Sequence, residues 1–90
     1  MANYLQITEK ELLRAIADPT RRDILTRLKK RSTTMSNIAK AYPLALPTVS
    51  KHLEVLKNAQ LIRRSRLGRL QIFSLNQTQL GRVKSIVNKI

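Results

Sequence analysis

The sequence predicts a mainly α-helical domain that carries one small β-hairpin. Three observations predict it. Apolar residues recur at helical spacing along most of the chain, interrupted where prolines and capping residues fall. Beyond Gln60 the period changes, and two short runs rich in strand-forming residues flank a single glycine, Gly68. Past them the helical period returns. The 90 residues have the size of one domain, 1–90, with no internal repeat, linker or low-complexity tail.

The elements follow in order. Residues 5 to 17 read as a first helix, with Leu12, Leu13 and Ile16 on one face and Glu9, Lys10, Glu11 and Arg14 on another. Asp18-Pro19-Thr20 restarts the chain. Asp18 can accept from the first free N–H groups of the next helix, and Pro19 suits its first position, where no N–H is needed. Ile24, Leu25 and Leu28 form an inward stripe that runs out at Lys29, Lys30 and Arg31, cations suited to the negative helix end. Ser32-Thr33-Thr34 reads as a turn and cap. A short third helix follows, from Met35 to Ala41, with Met35, Ile38 and Ala39 facing the core. Pro43 ends it, because the residue before a proline is pushed out of helical geometry. A fourth helix runs from Leu46 or Pro47 to Asn58, with Val49, Leu53 and Leu56 inward.

Leu61 to Ser65 and Leu70 to Leu75 then read as strands. A two-residue Leu67-Gly68 turn would strain Leu67, so the expected connection is a slightly longer loop with a glycine bulge. Gln77 to Ile90 reads as a last helix, in which Leu80, Val83, Val87 and Ile90 repeat at helical spacing. Alone it would be marginal in water, so it is expected to pack on its own domain or on a partner chain. This order of elements is that of a winged helix-turn-helix. The third and fourth helices form the turn motif, and the hairpin is the wing.

Charge narrows the function. The chain carries 18 Lys and Arg against 5 Asp and Glu, a net charge of +13. After Glu54 come Lys57, Arg63, Arg64, Arg66, Arg69, Arg82, Lys84 and Lys89, with no acidic residue among them. Such an excess attracts polyanions. On the fourth helix, Thr48, Ser50, Lys51 and His52 crowd the N-terminal half, the part of a second helix that reaches base edges in the major groove. Lys51 and Ser50 are the candidates for base contact, and Thr48 for a backbone phosphate. His52 sits at the edge of the buried stripe and has two readings, boundary packing with a local hydrogen bond or DNA contact. The wing offers Arg63, Arg64, Arg66 and Arg69, of which Arg66 and Arg69 lie nearest the tip. Arginines there can follow phosphates or enter a narrow minor groove. Alternation places Arg63 and Arg64 on opposite faces.

Other functions find little support. The chain has no cysteine, one histidine and no paired carboxylates arranged for catalysis, so no enzyme activity is expected. Two glycines cannot build a phosphate-binding loop. Zinc needs several ligands, so no metal site and no cofactor are expected. No stretch approaches a membrane span, and the N-terminus does not read as a signal peptide; a cytoplasmic protein is the expectation. Phe73, Tyr4 and Tyr42 do not suggest a platform for stacking single-stranded bases.

Three stretches in order carry a family resemblance. AIADPTRRDIL, Ala15 to Leu25, resembles the opening of the ArsR family of bacterial and archaeal repressors. LPTVSKHLEVL, Leu46 to Leu56, is similar to its recognition helix, and Gly68-Arg69 followed by Ile72 to Leu75 to its wing. The resemblance implies a homodimeric repressor that reads a palindromic operator in double-stranded DNA. It places Thr48, Ser50, Lys51 and His52 at recognition positions and Arg66 to Arg69 at the wing tip. It also implies a dimer built by the first and last helices, here through Leu12, Leu80, Val83, Val87 and Ile90. The chain departs from the family where many members sense metals. Met35 to Lys40 contains no thiolate, and Gln77 to Lys84 contains no histidine or carboxylate. Two helix ends also depart: Ala45 stands where a capping serine is usual, and Gln60 where a glycine is usual. A left-handed Gln60 would carry strain, so Asn58 or a different turn is expected to absorb it. A nonspecific architectural DNA binder and a winged-helix module that docks to another protein are the alternatives.

Overall fold

The computed structural model describes residues 6–90. Its elements are α1 (Glu9–Ile16), α2 (Pro19–Lys30), β1 (Thr33–Thr34), α3 (Met35–Lys40), α4 (Leu46–Asn58), β2 (Ile62–Leu67), β3 (Leu70–Leu75) and α5 (Gln77–Asn88). The expected succession of helices and hairpin is therefore present.

Helix ends follow capping chemistry. The Thr8 side chain accepts from the Glu11 N–H while the Glu11 carboxylate accepts from the Thr8 N–H, a reciprocal capping box that starts α1. The first helix thus begins at Glu9, later than expected; Leu5, the first residue of the expected span, lies outside the described residues. Asp18 caps α2 by accepting from Arg21 N–H at 3.0 Å, with Pro19 in the first turn. Thr34 caps α3 and Asn76 caps α5, each through its side-chain oxygen. Ala45 opens α4 with no side-chain cap, as its methyl group dictates.

Three details differ from expectation. Thr33–Thr34 form a short strand as well as a cap, pairing antiparallel with β3, so the sheet has three strands in the order β1-β3-β2. Two residues are too few for any period to reveal. The hairpin closes through the two-residue loop Gly68-Arg69, flanked by the Leu67–Leu70 pair, and needs no bulge. Within this loop Gly68 takes the positive φ of 62°, and Leu67 stays in the strand unstrained. Gln60 itself adopts a left-handed φ of 62°, and Asn58 remains helical. The strain is offset because Gln60 N–H reaches the Lys57 carbonyl at 2.9 Å and Leu61 N–H the Leu56 carbonyl at 3.0 Å, the paired bonds of a Schellman ending.

One core joins all layers. Leu12, Ile24, Leu25, Leu28, Ile38, Val49, Leu53, Leu56, Leu61, Ile62, Phe73 and Val83 belong to it. Leu12 and Val83, expected at a dimer seam, are among them. They are 0% and 5% exposed, closed over by the packing of α1 on α2 and α5. A side chain so covered has almost no surface left for a partner. The last helix also stops at Asn88, so Ile90 lies past it rather than on its stripe.

Candidate nucleic-acid interface

The fourth helix owes its position to contacts at both ends. At its C-terminal end, the buried Gln79 amide donates to the Ala59 carbonyl at 2.9 Å, and the Asn76 amide to the Gln60 carbonyl at 2.8 Å. Carbonyls at the end of a helix lack partners within it, and these two side chains supply them. Near its N-terminal half, His52 Nδ1 lies 3.2 Å from Arg21 Nη1 and 3.8 Å from Asp18 Oδ2. Arg21 also donates to the carbonyls of Ala15 at 2.6 Å and Arg14 at 3.2 Å. One guanidinium therefore ties the end of α1 and the start of α2 to α4. Arg22 completes the junction by donating to Ile16 and Ala17 carbonyls. The Arg21 N–H, joined by the charges of His52 and Arg21, holds the Asp18 carboxyl below the usual carboxylate value despite opposing desolvation.

This settles where the predicted residues stand. The His52 side chain is 16% exposed and engaged in this junction, which matches the packing reading. Thr48, Ser50 and Lys51 are exposed on the N-terminal half of α4, and among the described residues none of their side chains has a hydrogen-bond or ion-pair partner. Glu54 is offset by Lys57 at 3.4 Å. Two hydroxyls and an ammonium are thus left facing outward from one half-helix.

The sheet register sorts the arginines. Opposed residues of an antiparallel pair share a face. Arg64 opposes Phe73 and Arg66 opposes Gln71, on the face that packs toward α4. Arg63 opposes Ser74 on the other face, and Arg69 lies in the turn. All four are exposed and without a partner among the described residues. Arg64 and Gln71 line a groove of about 380 Å³ whose other wall includes Ser50 and Glu54 of α4 and whose floor includes Leu53 and Phe73. The fourth helix and the hairpin are therefore two walls of one trough.

The dimer candidates separate. Leu80 is half-buried, Val87 49% and Ile90 99% exposed. Leu13, not singled out from the sequence for this role, is 39% exposed on α1. Arg21, Asn76 and Gln79 were also missed. Polar residues beside a helix start look like surface in a sequence, and only the fold reveals that they face another helix's end. No group of His, Cys, Asp or Glu able to hold a metal occurs among the described residues, and none of their helices is long and apolar enough to cross a membrane.

A helix-turn-helix with a hairpin wing, exposing polar side chains on its second helix, defines a winged helix-turn-helix protein of the DNA-binding kind. Residues 16–65 match the model of a helix-turn-helix domain. The transcriptional repressor SdpR of Bacillus subtilis is 42% identical over 69 residues, 77% of each chain. The crystal structure of an ArsR family transcriptional regulator superposes with a TM-score of 0.82 at 30% identity, covering 97% of this chain and 91% of that one. A homodimeric winged helix-turn-helix DNA-binding domain from Mycobacterium bovis superposes with a TM-score of 0.75 at 26% identity, covering 88% and 73%. The chain belongs to the ArsR family of transcriptional regulators.

Proposed function

We propose that this regulator is a homodimeric repressor that binds a palindromic operator in double-stranded DNA sequence-specifically and without metal sensing. The observation that carries the reading is the unpartnered trio Thr48, Ser50 and Lys51 on the exposed half of α4. Ser50 and Lys51 read base edges in the major groove, and Thr48 bonds a phosphate. Arg64, Arg66 and Arg69 follow the flanking backbone, and repression comes from occupying the site polymerase needs. His52 acts indirectly by holding α4 against Arg21. The reading involves no catalytic step and no cofactor, and it places the protein in the cytoplasm.

The dimer reading is supported by the apolar surface of Leu13, Leu80, Val87 and Ile90, and by the homodimeric relative from Mycobacterium bovis. A twofold pair of recognition helices meets half-sites about 34 Å apart along one side of the duplex. Selection from a random duplex pool tests the reading. Recovery of an inverted repeat bound by two protomers supports it; recovery of unrelated sequences counts against it. A second reading, a nonspecific architectural binder, is favoured by the net charge of +13 and predicts the latter result.

A further inference from the structure

We propose that the wing tip is an apolar wedge for the minor groove of A·T-rich duplex, with Leu67 and Leu70 as the inserted groups. This rests on the DNA-binding reading above. Leu67 and Leu70 face each other across the hairpin as its last pair, and Gly68-Arg69 closes the loop beyond them. They are 67% and 50% exposed, although both belong to a strand. Arg66 directly precedes Leu67 and Arg69 directly precedes Leu70, and no acidic side chain follows Glu54. The apolar surface of α1 and α5 lies on other elements, so the pair forms a patch of its own.

Edge protection accounts for the arginines alone. Cations on an exposed strand such as β2 discourage pairing with other strands. Two bare leucines at the tip work against that purpose. A duplex groove accommodates both features: arginines meet phosphates at the walls while leucines cover apolar sugar edges and press on a base step. The floor decides which sequence is accepted. The guanine 2-amino group protrudes into the minor groove and obstructs an apolar side chain, whereas A·T pairs present only acceptors there. Pyrimidine–purine steps also unstack readily.

The test uses alternating duplexes of dA-dT, dI-dC and dG-dC. The last two offer the same major-groove edge and differ in the minor-groove amino group. The wild-type protein is expected to bind dA-dT and dI-dC roughly tenfold or more tightly than dG-dC at equal salt. The Leu67→Thr/Leu70→Thr protein, whose new residues suit a strand, is expected to bind all three within about twofold while keeping the salt dependence, because no charge has been removed. Arg66→Gln/Arg69→Gln should do the reverse, flattening the salt dependence and keeping the preference. Persistence of the preference in the leucine variant overturns the wedge. So does a change in sedimentation of the DNA-free variant, which would assign the leucines to a contact between copies. Equal wild-type binding to all three duplexes overturns the wedge and leaves the DNA reading standing. Binding to none at low salt overturns both.

Discussion

The side-chain amide of Gln79 donates to the Ala59 carbonyl at 2.9 Å, joining the first turn of α5 to the end of α4. Both residues are buried, at 0% and 5% exposure. The helix that carries the candidate base contacts is therefore anchored by the helix that carries the candidate dimer surface. Gln79→Leu keeps the volume but strands the Ala59 carbonyl. A loss of about 1–3 kcal/mol is expected. At roughly 4–8 °C per kcal/mol for a domain of this size, a thermal melt resolves it easily. An unchanged Tm would contradict the anchoring role.

Gln60 offers the opposite change. Its φ of 62° is the left-handed region that favours glycine. Gln60→Gly keeps both backbone bonds of the helix ending and is expected to stabilise the protein by about 1 kcal/mol. Denaturant unfolding checks this, and destabilisation would mean that the Gln60 side chain contributes more than its backbone costs.

The arginines of the wing are not equivalent. Arg64 lines the trough beside Ser50, while Arg63 points to the other face. Arg64→Ala is expected to weaken binding across all duplexes and lower the salt slope by about 1, and Arg63→Ala to change the slope less. Equal effects would show that the register does not sort them. Lys51→Ala should instead cost about 1–3 kcal/mol on the selected duplex and relax its sequence preference.

Tyr42 provides a pH signature. Burial, reinforced by its hydrogen bond to Asp23, pushes the phenol from 10.0 up to about 12. A group raised in the folded state contributes stability that is fully present below its ordinary value and is lost as the pH rises through the folded one. Tyrosinate absorbance should therefore develop a late phase near that value, and Tyr42→Phe should abolish it. Asp23 is shifted the other way, below the usual carboxylate value, by the hydrogen bonds from Tyr42 and Arg27. Its contribution is present above the ordinary carboxylate value and is lost as the pH falls through the folded one. A single early phase in wild-type protein would exclude the half-buried, hydrogen-bonded phenol.

Much of this was legible in the sequence because it depends on local chemistry. Asp18-Pro19 announces a helix start, and Val49, Leu53 and Leu56 announce which face of α4 is buried. The exposed trio Thr48, Ser50 and Lys51 follows from that face by elimination. What escaped depends on distance along the chain. Arg21 meets His52 only after α2 packs on α4, and Gln79 meets Ala59 only after α5 folds back. The apolar face that holds Leu12 does not by itself say whether its own chain or another covers it. Gln60 was expected to avoid the left-handed region, yet two backbone bonds and the Asn76 amide hold it there.

Sequence-specific recognition by the exposed half of α4 stands or falls on one titration. The protein is titrated onto its selected duplex and onto a scrambled duplex of equal length, at low and physiological salt, with stoichiometry measured alongside. The expected result is a preference above roughly a thousandfold that survives physiological salt, with two protomers per site. Equal and steeply salt-dependent binding to both duplexes would contradict it and leave phosphate attraction alone.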